Sequence, residues 1–157
     1  MRQFTKIIVG LTLLAHFCAC NDEYSICDVN TDVYEKTGFY HIAGGIQQVA
    51  YAPLFTLVSI GSVNPIYNNL PNISKFNLPL NPLIDSGKFQ LYISSTSVPD
   101  TITFIYINRT FTINPDCGNI YIHNLTRVSV TRHHLDSVSI VNHDVNNVSG
   151  ENVRIYF

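Results

Sequence analysis

The 157-residue chain has no tryptophan, one methionine and only 13% charged residues, and each shortage excludes something. Without Trp, the broad flat ring on which a sugar stacks best is missing, so any stacking falls to tyrosine. The nine Lys and Arg residues are scattered, with no stripe or cluster to release phosphate counterions, so nucleic acid is not an expected partner. Reaction signatures are missing too: there is no Gly-x-Ser-x-Gly elbow, no His-Glu-x-x-His helix, no phosphate-cradling glycine loop and no EF-hand-type acidic loop. No metal, cofactor or catalytic residue is therefore expected, although a triad assembles in space and not in sequence. The apolar run from Ile7 to Phe17 is eleven residues, well short of the roughly 20 that a helix needs to cross a bilayer core.

What the first twenty residues do contain is an ordered export signal. Arg2 and Lys6 precede the apolar run, and the small residue Ala19 stands directly before Cys20. That order predicts a signal peptide over residues 1–19. Its end, Phe17-Cys18-Ala19-Cys20, resembles a bacterial lipobox, in which a small residue precedes a cysteine that is diacylated and becomes the first residue of the mature chain. Cys18 follows the bulky Phe17, a residue that stands where such boxes usually carry Leu or Val, so Cys20 is the expected lipidation site. The plainer alternative is ordinary secretion with Cys20 left as a thiol. Two or three acyl chains give durable attachment, since each buried CH₂ contributes about 0.8 kcal/mol and a single chain is marginal. The expected partner is thus a membrane. Asn21-Asp22-Glu23 resembles the short acidic export signal of surface-exposed Bacteroidota lipoproteins, and equally suits a solvated start to a tether.

Removing residues 1–19 leaves 138 residues, one domain by length. Arg2 and Lys6 leave with the signal, so the mature chain carries 7 basic against 11 acidic residues, a net charge of −4. With Cys20 taken by lipid, Cys27 and Cys117 remain. An even pair in an oxidising compartment suggests a disulfide, and two buried thiols are the alternative. A bridge closing about 90 residues would stabilise the fold by roughly 4 to 5 kcal/mol on the chain-entropy account.

Beyond a polar tether over residues 20–37, the apolar pattern of residues 38–157 has period two. Phe89, Leu91 and Ile93 alternate with Lys88, Gln90 and Tyr92; Thr101, Thr103 and Ile105 alternate with Ile102, Phe104 and Tyr106. Alternation of this kind marks strands with one face in a core. Further strands are expected at 38–42, 47–51, 54–60, 111–113, 120–123, 127–132, 138–141 and 152–157. Val153, Ile155 and Phe157 share one face of the last. Turns are expected at Gly44-Gly45, Asn64-Pro65, Leu70-Pro71-Asn72, Asn81-Pro82, Pro99-Asp100 and Asn114-Pro115. The Pro- and Asn-rich stretch from Ser62 to Leu83 reads as a long loop or an edge strand broken by proline. Short strands at this spacing, with no amphipathic helix between them, predict an all-β antiparallel sandwich of immunoglobulin-like or related type, with a small barrel as the alternative.

The most suggestive polar patch is His133-His134-Leu135-Asp136, with His123 and His143 elsewhere. Adjacent strand residues point to opposite faces, so His133 and His134 would not chelate one ion. His134 and Asp136 would share a face, where Asp orients an imidazole for general-base work; a polar turn with solvated histidines explains the same residues. Asp100-Thr101-Ile102 and Asp136-Ser137-Val138 look like the O-glycosylation acceptor pattern of Bacteroides-type envelopes, which makes Thr101 and Ser137 candidate acceptors, while Asp opening a strand from a turn explains them as well. Four Asn-x-Ser/Thr sequons, at Asn72, Asn108, Asn124 and Asn147, matter only in a eukaryotic secretory pathway. Among the tyrosines, Tyr40, Tyr51, Tyr67 and Tyr92 are candidates for stacking on a ligand, Tyr67 foremost because it falls in the expected long loop.

Taken together, Cys20 with Cys27, Leu78-Pro79-Leu80-Asn81-Pro82, Asp100-Thr101-Ile102, Cys117-Gly118, Asp136-Ser137-Val138 and Asn152-Val153-Arg154-Ile155 resemble a family of small Bacteroidota lipoproteins, a domain of unknown function, across nearly the whole mature chain. The resemblance implies an envelope address and a β fold and carries no activity with it. The expectation is a non-catalytic binding or envelope-assembly module at the outer membrane, with envelope proteins or glycans as partners. The rivals are a membrane-tethered hydrolase using His134 and Asp136, and a structural envelope protein without a ligand.

Overall fold

The computed structural model describes residues 26–95 and 98–157, and these contain strands and no helix. The chain opens with a hairpin of β1 (Glu35–Ala43) and β2 (Ile46–Val49), turned by Gly44 and Gly45 at φ of 59° and 78°. Two consecutive positive φ angles suit glycine and match the twist of a two-residue hairpin. β3 (Ala52–Ser59) and β4 (Pro65–Ile73) form the next antiparallel pair, β5 (Lys75–Leu78) follows, and β6 (Ser86–Tyr92) pairs back on β3. The long strands β7 (Asp100–Asn114) and β8 (Gly118–Val130) make a hairpin; β9 (Ser137–Ile140), β10 (Asp144–Val145) and β11 (Val153–Tyr156) complete the fold.

Two sheets result. One has the order β2-β1-β11-β9, with β5 also pairing β1; the other runs β10-β8-β7-β6-β3-β4. All pairings are antiparallel except β1 with β11, where Thr37 to Tyr40 run parallel to Val153 to Tyr156. The sheets pack face to face and do not close on themselves, so the architecture is the expected sandwich and not the barrel.

Between them lies one core. Phe39, Phe76, Leu78, Val153 and Ile155 come from the first sheet; Phe55, Leu57, Phe89, Leu91, Ile102, Phe104, Tyr106 and Leu125 come from the second. Its centre is aromatic: the ring of Phe39 sits 5.6 Å from Phe55, 5.5 Å from Phe76 and 5.4 Å from Phe157, mostly edge-on. Each fully buried side chain of this size contributes about 1.5–3 kcal/mol. Phe157 thus joins Val153 and Ile155 against the core, as the alternation predicts.

Three features depart from the sequence expectation. The first strand begins at Glu35 and not at Gly38, because buried Asn152 captures the backbone of Lys36: its Oδ1 accepts the Lys36 N–H at 3.1 Å, and its own N–H donates to the Lys36 carbonyl at 2.7 Å. Residues 62–83 are not one loop. β4 is an edge strand, as the proline content allows, but β5 crosses to the other sheet, and Leu70-Pro71-Asn72 lies within β4, not in a turn. Asn69 and Asn72 there take φ of 51° and 54°, and the β3–β4 register slips at two places. Finally, the expected separate strands at 101–106 and 111–113 are one continuous strand, as are 120–123 and 127–132. Cys27 and Cys117 form a disulfide, with Cα atoms 4.8 Å apart.

Candidate functional site

The larger concavity, about 600 Å³, is lined by Lys36, Thr37, Tyr67, Lys75, Phe76, Asn77, Gly150 and Glu151. It opens where the edge of one sheet meets the edge of the other. Tyr67 stands on β4 and its ring lies 5.5 Å from Phe55 and 6.2 Å from Phe76. Its hydroxyl donates to the Asn77 carbonyl at 2.8 Å and accepts the Asn77 N–H at 3.2 Å. Tyr67 is therefore half-buried in a strand and laces the two sheets together, and does not project from a loop. Its ring forms one wall of the concavity.

The opposite wall is charged. Lys36 donates through Nζ to the Ser149 carbonyl at 2.5 Å, while Lys75 is exposed at the rim. The Glu151 carboxylate accepts the Tyr40 hydroxyl at 2.5 Å and Arg154 Nε at 2.6 Å, and the Arg154 guanidinium lies over the Tyr40 ring at 5.1 Å. A Cβ on Gly38 would collide with Glu151, so glycine is what lets the carboxylate lie across β1. The hydrogen bond to Glu151 pushes the Tyr40 phenol above its usual range. Behind this wall Glu35 is fully buried, and burial pushes its carboxyl up to about 8, against the pull of the Thr37 hydroxyl, with the charge of Glu151 adding to the rise. The site can thus hold a ligand with one apolar face, against Tyr67 and Phe76, and polar groups that meet a cation and a carboxylate.

The smaller concavity, about 160 Å³, is lined by Arg109, Ile122, His123, Asn124, Asp144, Val145 and Asn146. His123, only 4% exposed, packs edge-on to Tyr106, and burial lowers its pKa. The Asn108 amide fixes its tautomer: Asn108 Nδ2 donates to the Ile84 carbonyl, so its Oδ1 accepts from His123 Nδ1–H at 2.6 Å. This leaves Nε2 as the lone-pair nitrogen. No hydroxyl or thiol side chain lines this concavity, so a nucleophile for that imidazole to activate would have to arrive with the ligand or as water. No sequence signal marks this partner of His123, since Asn108 sits on the neighbouring strand.

The other expected site residues are not brought together. His133, His134 and Asp136 are exposed, and none lines either concavity. Their segment is held instead by Asp100, which is fully buried and accepts the N–H groups of His133, His134 and Leu135 at 2.8, 2.8 and 3.1 Å and the Thr131 hydroxyl at 2.8 Å. Burial alone would raise the Asp100 pKa; those donors outweigh it and hold it below the usual carboxylate value. Asp100-Thr101-Ile102 is thus a strand start whose carboxylate pins a distant loop, with Thr101 half-buried, whereas Asp136 and Ser137 are both exposed. Tyr51 is exposed on the connection before β3, and Tyr92 ends β6 half-buried. Cys20 lies outside the described residues. Among the described residues, no cluster of three or more His, Cys, Asp or Glu side chains is arranged to hold a metal ion, and no helix is long and apolar enough to cross a membrane.

No curated protein and no solved structure matches the chain. The sequence profile of one family, described as a family of unknown function (DUF6452), matches residues 55–157. That span takes in most of β3, all of β4 to β11, Asp100, Cys117 and Asn152, and leaves Cys27 and the β1–β2 hairpin outside, so it is narrower than the resemblance suggested by the short motifs. Covering well over half of the sequence, the match places this chain in the DUF6452 family.

Proposed function

We propose that this protein is a non-catalytic binding module held at the outer membrane of a bacterial envelope by lipid on Cys20. The observation that carries the reading is the Cys27–Cys117 disulfide: a bridge of this kind persists in oxidising compartments, and it begins seven positions after Cys20, the expected first residue of the mature chain. The concavity walled by Tyr67, Lys75 and Glu151 supplies the binding surface, and envelope glycans, with apolar ring faces and many hydroxyls, are the ligand class it suits. The exposed Asp136-Ser137 pair supports Ser137 over Thr101 as the glycan acceptor.

Two measurements test the reading. Intact mass of membrane-purified protein is expected to show a chain starting at Cys20 and carrying fatty acid. Ligand-observed NMR with soluble envelope oligosaccharides is expected to show binding that Lys75→Glu abolishes without lowering the melting temperature. A mature chain with a free Cys20 thiol overturns the anchor. Absence of binding by every oligosaccharide, with no envelope protein crosslinked at this concavity, overturns the binding role in favour of a structural one.

A further inference from the structure

We infer that the outer face of the β7–β8 hairpin lies on the lipid surface, so that the domain docks on the membrane and does not merely hang from it; the inference rests on lipidation of Cys20. β6 pairs with β7 only over residues 100–105, and β10 reaches only Asn124 and His123 of β8. Beyond Asn108 and His123 the two strands have only each other, through to the turn at Asn114 and Gly118. The hairpin therefore projects past the sandwich.

One face of it carries exposed apolar side chains, while Ile120, opposite Phe111, is itself buried. Ile102, Phe104 and Tyr106 point into the core, and the alternate positions Ile105, Ile107 and Phe111 point away and are 39%, 49% and 49% exposed. A row of large apolar side chains on the outside of a sheet marks a surface that meets something other than water. Arg109 stands between Ile107 and Phe111, and Arg127 faces Ile105 across the ladder; both are exposed. Apolar side chains flanked by guanidinium groups suit the boundary between acyl chains and lipid phosphates. The acidic groups near this face are Asp144, whose Oδ1 accepts Asn124 Nδ2 at 2.9 Å, and Asp116 in the turn.

The disulfide brings the membrane anchor close to this hairpin. Cys117 sits in the hairpin turn and is bonded to Cys27. Cys27 follows Cys20 by seven positions, a reach of at most about 25 Å, whereas a domain of this size is roughly 35 Å across. The bridged end of the hairpin is thus held within about 25 Å of the membrane and cannot occupy the pole of the domain farthest from it, and Ile26, 83% exposed, stands beside the bridge.

The lack of tryptophan makes the test direct. Phe111→Trp introduces one fluorophore on the outer face, and Thr110→Trp places it on the opposite face as a control. Each lipidated variant is reconstituted into vesicles of phosphatidylethanolamine and phosphatidylglycerol, with and without brominated acyl chains. Emission from the Phe111→Trp protein is expected to shift to the blue and to lose at least half its intensity to bromine, with little change for Thr110→Trp. Ile107→Trp serves if Phe111→Trp fails to fold. A lipidated protein whose outer-face tryptophan ignores bromine overturns the docking and leaves the anchor standing. A shift that follows protein concentration and not vesicles also overturns it, marking a protein contact. Purified protein without fatty acid removes both this inference and the anchor.

Discussion

At Glu35 the fold is coupled to the pH. Its carboxyl ordinarily titrates at 4.5 and is pushed up to about 8 in the folded state, so folding binds a proton between those values. Stability is then fully present below pH 4.5 and declines as the pH rises toward 8, by about 1.4 kcal/mol per unit at most. His123 works the other way, because its lowered pKa favours the folded state as the pH rises through the ordinary histidine range. Glu35→Gln removes only the first effect. The melting temperature of Glu35→Gln relative to wild type is expected to climb steadily from pH 5 to pH 8, and a constant difference would rule the coupling out. None of this is visible in the sequence, where Glu35 belongs to a polar stretch that reads as tether. Its burial depends on Asn152, 117 positions away, taking over the Lys36 backbone. Asp100 is a similar case: the turn-to-strand role is legible from its neighbours, but the three N–H groups it holds come from a loop that looked like a site of chemistry.

At the scale of elements, period two was readable wherever one face is buried, as in β6 and the first half of β7. It failed where neither face packs into the sandwich core: past Tyr106 the strand continues on pairing with β8 alone, so the polar run Asn108-Arg109-Thr110 looks like a break. β4 and β5 were hidden differently. Proline and two asparagines with positive φ are compatible with an edge strand only because β4 has a partner on one side. The Cys27–Cys117 bridge ties the free end of the β7–β8 hairpin to the segment before β1. The double variant Cys27→Ser with Cys117→Ser is expected to lose up to about 4–5 kcal/mol of unfolding free energy, read from urea denaturation, and to keep its β-sheet circular dichroism. A double variant as stable as the wild type would show that the bridge constrains nothing.

At the scale of the whole molecule, the fold class follows from composition and alternation, while the concavities do not, since each is walled by residues from distant parts of the chain: Lys36 and Tyr67 with Glu151, or Arg109 with Asp144. The same topology sets a prediction for length. Ending the chain after Asn152 removes β11, the strand between β1 and β9, together with Val153, Ile155 and Phe157 of the core. The shortened protein is expected to lack a cooperative thermal transition, and a sharp one would contradict the assigned pairing. Because β1 pairs with β11, more than a hundred residues further along the chain, the sheet they share cannot be completed until β11 has been synthesised. Pairings over such sequence distances form slowly, which leaves the polypeptide threadable for longer, as the proposed export requires.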